Sequence, residues 1–508
     1  MIQREPIIRQ SDMIQCALCE DAPCQRACPH LPVSTLLRSI WFRNEQTAAL
    51  SLPPEDPCLS CRRPCERACV RPGEVPIHDL INRLYYQVLP EAETPLPEDT
   101  SRLACDLCGV PMENPFLLGS SVIASTYEKC ARAFEAGWAG ASFKTVTRLE
   151  IQEASPRYSA VTGSDGGIIG FKNIEQLSEN SVAENMEIFR RLKRNYPSKV
   201  IVASIMGRAE AEWGELARMC QDNGADVVEL NFSCPNMVEG DMGAAIGQLP
   251  ELVERFTAAA KKACSIPVLS KLTPNVEYMN PAAAAALRGG ADGLTAINTI
   301  RSIVGINLHT YVSSPAVRGL SAIGGYSGNA VHPIALRFIG ELGLDPQLKG
   351  LHLSAAGGVE TWIDALEFLL LGASSVQVTT AVMQYGYRIV EDLIAGLNLY
   401  LTEKGFSSVR EVVGQGLSSL SASSSPLERQ SVVFPVFLRE RCIGCGRCVL
   451  SCADGGHEAL YLSPERRPVL NGKKCVGCHL CRIVCPENAI AASPRRITIP
   501  SPDRRSKD

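Results

Sequence analysis

Residues Glu229 to Gln248 read ELNFSCPNMVEGDMGAAIGQ, and they continue an apolar run that begins Asp226-Val-Val-Glu-Leu. A short apolar run closed by Pro and Gly reads as a buried strand entering a loop. Asn231, Ser233 and Cys234 stand where the strand gives out, and Pro235 follows. Gly240, Gly243 and Gly247 make the next segment read as a flexible lid. An amide, a hydroxyl and a thiol at a strand end suit hydrogen bonding to a polar planar molecule and proton transfer by the thiol. Alone, the same residues also describe a capped strand end with a buried Cys. The surrounding chain decides between the two.

Eight strand-like runs lie between about Cys105 and Lys404: Pro115–Ser121, Ala139–Thr145, Val200–Met206, Asp226–Cys234, Val268–Thr273, Gly293–Thr299, Gly350–Ala356 and Ser375–Ala381. Helical patterns such as Met186–Arg194, Glu212–Gln221, Leu249–Lys262, Pro333–Leu342, Thr361–Leu370 and Arg388–Leu401 fall between or after them. Eightfold alternation predicts an α/β chain with a (β/α)8 TIM barrel, whose chemistry sits at the C-terminal ends of the strands. Polar residues gather at those ends: Ser120-Ser121, Lys144-Thr145, Asn231-x-Ser233-Cys234, Lys271-x-Thr273 and Asn298-Thr299. The seventh run enters Gly357-Gly358 and the eighth Thr379-Thr380. Loops seven and eight are the usual phosphate seat of this fold, where glycine lets backbone N–H groups approach the anion. With Lys144 and Lys271 at the ring end, the phosphorylated flavin FMN is the expected cofactor. No GxGxxG follows a strand, so no Rossmann site for FAD or a nicotinamide is expected.

The chain carries 22 Cys in 508 residues. Most fall in two blocks, Cys16–Cys69 and Cys442–Cys485, at CxxC-type spacings that read as metal or iron–sulfur ligation. The N-terminus has no apolar signal segment, so a cytoplasmic location is expected and disulfides are not. Cys442-x2-Cys445-x2-Cys448-x3-Cys452 and Cys475-x2-Cys478-x2-Cys481-x3-Cys485-Pro486 form the two-cluster ferredoxin pattern. In that pattern the fourth Cys of each run ligates the other [4Fe–4S] cluster. Cys485 is therefore expected with Cys442, Cys445 and Cys448, and Cys452 with Cys475, Cys478 and Cys481. The N-terminal block holds Cys16, Cys19, Cys24 and Cys28, then Cys58, Cys61, Cys65 and Cys69. Eight thiolates suit two more [4Fe–4S] clusters, with a pair of tetrahedral zinc sites as the alternative. Between the two quartets Ser34–Leu50 reads as one helix with Leu36, Leu37, Ile40 and Trp41 on one side.

The expected organisation is a helical iron–sulfur domain over 1–88, a Pro- and Glu-rich linker over 89–104 and the barrel over 105–405. A Ser-rich linker over 406–435, a ferredoxin-like domain over 436–495 and a charged, disordered tail over 496–508 complete it. A net charge of −4 with no basic run argues against nucleic acid, and no apolar window is a good membrane span.

The motifs NPF (Asn114–Phe116), FKT (Phe143–Thr145), GFKN (Gly170–Asn173), ELNFSCP (Glu229–Pro235), KLTPN (Lys271–Asn275), AINT (Ala296–Thr299) and GGYSG (Gly324–Gly328) together resemble dihydropyrimidine dehydrogenases of the bacterial type. The resemblance covers about residues 105–495. The first 85 residues resemble the iron–sulfur domain of that enzyme's other subunit and of glutamate synthase small subunits. The resemblance implies reduction of the C5–C6 double bond of uracil or thymine, or the reverse. It implies that Lys144, Lys271, Ser120, Gly357, Gly358, Thr379 and Thr380 hold FMN. Asn173, Asn231, Ser233, Asn298 and Thr299 would hold the pyrimidine, and Cys234 would be the general acid. It implies one N-terminal cluster on Cys16, Cys19, Cys24 and Cys69 and another on Cys28, Cys61 and Cys65. The family's last ligand there is often a glutamine, which aligns with Arg83, so Cys58 is expected in its place. Electrons would come from a separate flavoprotein subunit or a ferredoxin, in a homodimer or hetero-oligomer. Dihydroorotate oxidation and a purely electron-transferring subunit are the rival readings.

Overall fold

The computed structural model describes residues 6–92, 94–163, 166–237 and 242–498. The chain divides into one unit up to Leu420 and a second from Ser421. The core of the first is a closed parallel barrel of β1 (Phe116–Leu118), β2 (Gly140–Ser142), β3 (Val200–Ile205), β4 (Val227–Asn231), β5 (Val268–Lys271), β6 (Gly293–Ala296), β7 (His352–Ala356) and β8 (Ser375–Val378). Each pairs with the next, and Val376 beside Phe116 closes the ring. All eight lie inside the runs expected from sequence. The surrounding helices include Val182–Asn195, Glu210–Asp222, Pro250–Ala263, His332–Leu344, Trp362–Leu370 and Ile389–Glu403. Asn280–Arg288 adds one that the sequence reading missed; its NPAAAAALR has little amphipathic contrast.

Strand alternation sends Val228 and Leu230 outward and Glu229 inward. The barrel axis is polar there: the buried Glu229 carboxylate accepts hydrogen bonds from Ser142 on β2, Thr295 on β6 and Gln377 on β8, each at 2.9 Å. Burial alone would raise its pKa. The Lys271 ammonium at 3.5 Å, with those three donors, more than offsets this and holds the carboxyl below its ordinary value.

Two excursions from the barrel pair with each other. Tyr158–Thr162 and Ile168–Asn173 follow β2, and Ile300–Ser302 and Gly324–Ser327 follow β6. They form one antiparallel four-stranded sheet. This sheet, absent from the sequence reading, is what carries Asn173.

The N-terminal segment has its own core of Leu36, Leu37, Ile40, Ala48, Leu80 and Leu84. The single helix expected over Ser34–Leu50 is instead two, Val33–Trp41 and Glu45–Leu50. The break has a tertiary cause. Arg43 turns left-handed (φ 66°), its carbonyl accepts from the Trp362 indole at 3.1 Å, and the Asn44 amide donates to Asp392 O at 2.7 Å. Arg38 reaches the buried Asp392 carboxylate at 2.9 Å. Trp41 packs against the segment's own core as expected and also lies near Tyr385, which meets Phe42 edge-on at 5.1 Å. The segment is thus clamped to the barrel rather than strung from it. The stretch expected as a linker over 89–104 is held as well, with Leu103 buried and Asp99 O bonded by Asn398. Glu93 lies outside the described residues.

Residues 409–412 form a 3-10 turn whose Val409 and Val412 bury in the barrel's core, so the barrel unit runs past the expected limit of 405. In the second unit Ser431–Phe437 pairs antiparallel with Ile490–Thr498. This corrects two expectations. Residues 431–435 are strand rather than linker, and 496–498 are strand rather than tail; 499–508 lie outside the described residues.

Candidate active site

A single cavity opens at the C-terminal ends of the barrel strands. Ser120, Lys144, Asn231, Cys234, Lys271, Asn298, Thr299, Gly357, Gly358, Thr379 and Thr380 line it, with Asn173 reaching in from the four-stranded sheet. Of the residues expected to touch flavin or pyrimidine, Ser233 alone does not line it. Ser233 is fully buried, its Oγ donates to Asn231 Oδ1 at 2.8 Å, and it accepts from Asn298 Nδ2 at 2.9 Å. Expected as a substrate contact, it stands instead behind the wall, tying two amides together. Asn231 is fixed from its other side by donating to Thr145 Oγ1 at 2.8 Å. Such a fully bonded chain holds amides in one orientation.

Cys234 is 7% exposed, and burial pushes its thiol up to about 11. The thiol therefore keeps its proton at neutral pH. The loop that follows contains Gly240, which lies outside the described residues, and Gly243, which does not behave as a loose hinge. Gly243 has φ +57, and a Cβ there would sit 2.4 Å from Cys234 O. Its glycine serves close approach, and Ala244 N donates to the same carbonyl at 3.0 Å. The described start of this loop is also held: Asn236 Nδ2 donates to Asn173 Oδ1 (3.1 Å) and Glu175 O (2.8 Å).

Sequence reasoning missed Glu153, Glu175 and Asn236. The Lys144 ammonium lies 3.4 Å from Glu153 and 3.9 Å from Glu175, all three buried. Asn236 is among the residues lining this cavity, and its buried Oδ1 has no hydrogen-bond partner in the structure. Two ammonium groups, a set of amides and a Gly-Gly turn lining one cavity fit a planar, imide-bearing, phosphorylated ring system such as FMN beside a pyrimidine.

The cysteines gather as expected. In the second unit one cavity is lined by Cys442, Cys445, Cys448 and Cys485, and another by Cys452, Cys475, Cys478 and Cys481. In the N-terminal segment burial, then Cys24, Cys19 and Cys69, push Cys16 up to about 11. Burial, then Asp56, Cys61, Cys65 and Cys28, push Cys58 up to about 12. Two thiol quartets are therefore present, and Cys58 is in the second. Arg83 is engaged elsewhere, paired with Asp12 at 2.8 Å. Cys58→Ser should cost about four iron atoms, one cubane, by metal count on anaerobically purified protein. Loss of none would remove Cys58 as a ligand. Cys105, Cys108, Cys130, Cys220 and Cys264, which the sequence left as packing residues, are buried or half-buried and outside these quartets.

Comparison with known proteins agrees with this anatomy. The dihydroorotate dehydrogenase family model matches residues 102–401, and a 4Fe-4S dicluster domain model matches 437–492. The chain is 50% identical over 368 residues to the NAD-dependent dihydropyrimidine dehydrogenase subunit PreA of Escherichia coli K12, covering 72% of this chain and 89% of that one. It is 37% identical over 347 residues to the chloroplastic NADP-dependent dihydropyrimidine dehydrogenase of Arabidopsis thaliana, covering 66% and 81%. To the catalytic subunit of the NAD-dependent dihydroorotate dehydrogenase B of Pyrococcus abyssi it is 36% identical over 317 residues, covering 62% and 99%. No described helix is long and apolar enough to cross a membrane. An eight-stranded barrel with a thiol-bearing pocket, a dicluster tail and this degree of identity make the chain a member of the dihydropyrimidine dehydrogenase family, built on the dihydroorotate dehydrogenase barrel.

Proposed function

We propose that the chain reduces the C5–C6 double bond of uracil or thymine to the 5,6-dihydropyrimidine. The observation that carries this is a buried thiol at Cys234 sharing one cavity with Asn173, Asn231, Asn298 and Thr299, where burial favours the protonated form. Lys144, Lys271, Ser120 and the Gly357, Gly358, Thr379 and Thr380 backbone and hydroxyls would hold FMN, which when bound would supply the hydride for C6. The amides bind the ring's carbonyl and N–H groups, and Asn236 Oδ1 is a further acceptor for a ring N–H. Cys234 Sγ–H gives its proton to C5. The bound amides also oppose charge that builds on the ring carbonyl as hydride arrives. A thiol held protonated suits this direction better than the reverse, which would need a thiolate in a buried site.

Four [4Fe–4S] clusters, when bound, would supply single-electron transfer. The residues that would hold them are Cys442/Cys445/Cys448/Cys485, Cys475/Cys478/Cys481/Cys452, Cys16/Cys19/Cys24/Cys69 and Cys28/Cys61/Cys65/Cys58. The sequence carries no dinucleotide fingerprint, and the E. coli relative is described as a subunit. The electron donor is then a separate flavoprotein subunit or a ferredoxin.

Anaerobically purified protein should carry about 16 iron atoms and one FMN per chain. It should reduce uracil with a reduced viologen dye and not with NAD(P)H alone. Turnover with NAD(P)H alone would overturn the separate donor. The Pyrococcus relative favours a second reading, oxidation of dihydroorotate. Preference for dihydroorotate over dihydrouracil on the same sample would replace the first reading with it.

A further inference from the structure

We propose that His332 is a buried imidazolium that braces and charges the phosphate seat, so that this chain holds FMN partly through a cation behind Gly357-Gly358. The inference rests on the reading of that turn as the FMN phosphate seat. His332 opens the helix His332–Leu344 and is 6% exposed. Its Nδ1 is 3.0 Å from Gly357 O and its Nε2 is 3.0 Å from Glu367 Oε2. Both partners are acceptors. A neutral imidazole donates from one nitrogen only, so both contacts are satisfied only by the doubly protonated ring. Phe368 packs edge-on against the ring at 4.9 Å, fixing its plane.

The backbone of the turn rests directly on this residue. A Cβ on Gly358 would lie 2.8 Å from both His332 N and Cβ. His332 draws back the Gly357 carbonyl, and Asn329 Nδ2 draws back the Gly358 carbonyl at 3.2 Å. In a trans peptide the N–H points opposite to the C=O. Pinning the two carbonyls therefore turns the N–H groups of Gly358 and Val359 the other way, and both residues line the cavity.

Charge gives the second reason. Glu367 and Asp364 on the helix Trp362–Leu370 face the imidazole, and Glu360 lies before that helix on the cavity wall. Burial first, then Asp364, push Glu360 up to about 7, with His332 opposing them. On its own helix, Arg337 is turned to Glu341 and Glu277. Without a cation at 332, three carboxyl groups would stand behind a site for phosphate. His332, Asp364 and Glu367 are also close enough to suggest a metal site. That role is filled otherwise: both ring nitrogens are bonded, and Asp364 caps its helix through Glu360 N (3.0 Å) and Thr361 N (2.7 Å).

Burial lowers the imidazole's pKa, but the Glu367, Asp364 and Gly357 contacts more than offset it and hold it above its ordinary value. The cation is present below that raised pKa and lost as pH rises through it. The test is FMN release from holoenzyme after dilution, followed by the fluorescence of free flavin between pH 6 and 9. Release from wild type should be slow at pH 6 and accelerate about tenfold as the imidazolium deprotonates. His332→Gln should release FMN about tenfold faster at pH 6 and lose the imidazolium's share of this pH dependence. The share from Glu360, pushed up to about 7 on the same wall, is removed by making the comparison in a Glu360→Gln background. Glu367→Gln keeps the ring and its packing but should move the acceleration to lower pH. Riboflavin, lacking the phosphate, should be released alike by all three proteins. A His332→Gln protein that holds FMN as wild type does, or that loses riboflavin equally fast, would overturn the inference. Wild-type protein purified without flavin would overturn the phosphate-seat reading itself.

Discussion

Cys234→Ala should leave flavin and iron bound and lower dye-driven uracil reduction by at least about 100-fold, the usual scale for losing a general acid. The retained cofactors follow from geometry. The Lys144 ammonium is held by Glu153 and Glu175 and the Lys271 ammonium by Glu229 and Gln377, so neither depends on Cys234 for its position, and the cluster cysteines lie elsewhere in the chain. The size of the loss follows from the pocket. Asn231 and Asn298 can still align the ring, because Ser233 holds both of them without help from the thiol. Only proton delivery is removed. Cys234→Ser should recover a small part at most, since an alcohol is a far weaker acid. The pH profile gives an independent check. With the thiol pushed up to about 11, wild-type activity should show no loss from this group between pH 6 and 9. Steady-state turnover at saturating dye measures all three. Turnover of the Ala variant within a few fold of wild type would take Cys234 out of the reaction.

How much of this was legible beforehand depended on whether a feature is local. The barrel was, because eight apolar runs alternate with helical patterns and five of them end in polar residues, and Ser120, Lys144, Asn231, Lys271 and Asn298 all reach one cavity. The cluster quartets were, because thiolate ligation imposes spacing on the chain itself. The four-stranded sheet was not. Tyr158–Thr162 alternates exposed and half-buried residues, so no apolar run announces it, and its neighbour Ile168–Asn173 takes its other partner, Gly324–Ser327, from more than 120 residues further along the chain. The kink at Arg43 was not legible either, since its cause is Asp392 and Trp362 on distant helices. Ser233 was misplaced for a related reason. A hydroxyl beside a candidate catalytic thiol reads as a substrate contact, and only the fold shows it bonded to two amides behind the wall. Glu229 did leave a signal: a carboxylate in the middle of Val-Val-Glu-Leu has to be met by a cation or by several donors.

That carboxylate makes Lys271 the residue whose loss should cost the fold most. Lys271→Met should release FMN and destabilise the barrel unit by about 3 kcal/mol, since removing one partner of a buried ion pair leaves the other charge uncompensated. The figure sits at the low end of the usual range because Ser142, Thr295 and Gln377 still donate to Glu229. The pH dependence should reverse sign. In wild type Glu229 is held below its ordinary value near 4.5, so the pair contributes stability above that pH and loses it as pH falls. In Lys271→Met the same carboxyl, desolvated without its cation, titrates above 4.5, and the variant should gain stability relative to wild type as pH falls from 7 to 5. Glu229→Gln on top of Lys271→Met removes the stranded charge. The double variant should regain most of the stability and still release FMN, which separates the lysine's role in the fold from its role toward the flavin. Thermal unfolding of flavin-free proteins at pH 5 and 7, with flavin content measured before stripping, tests both. A single variant as stable as wild type at pH 7, or a double variant that keeps its FMN, would show that Lys271 is not the counter-charge on which the barrel axis and the flavin site both depend.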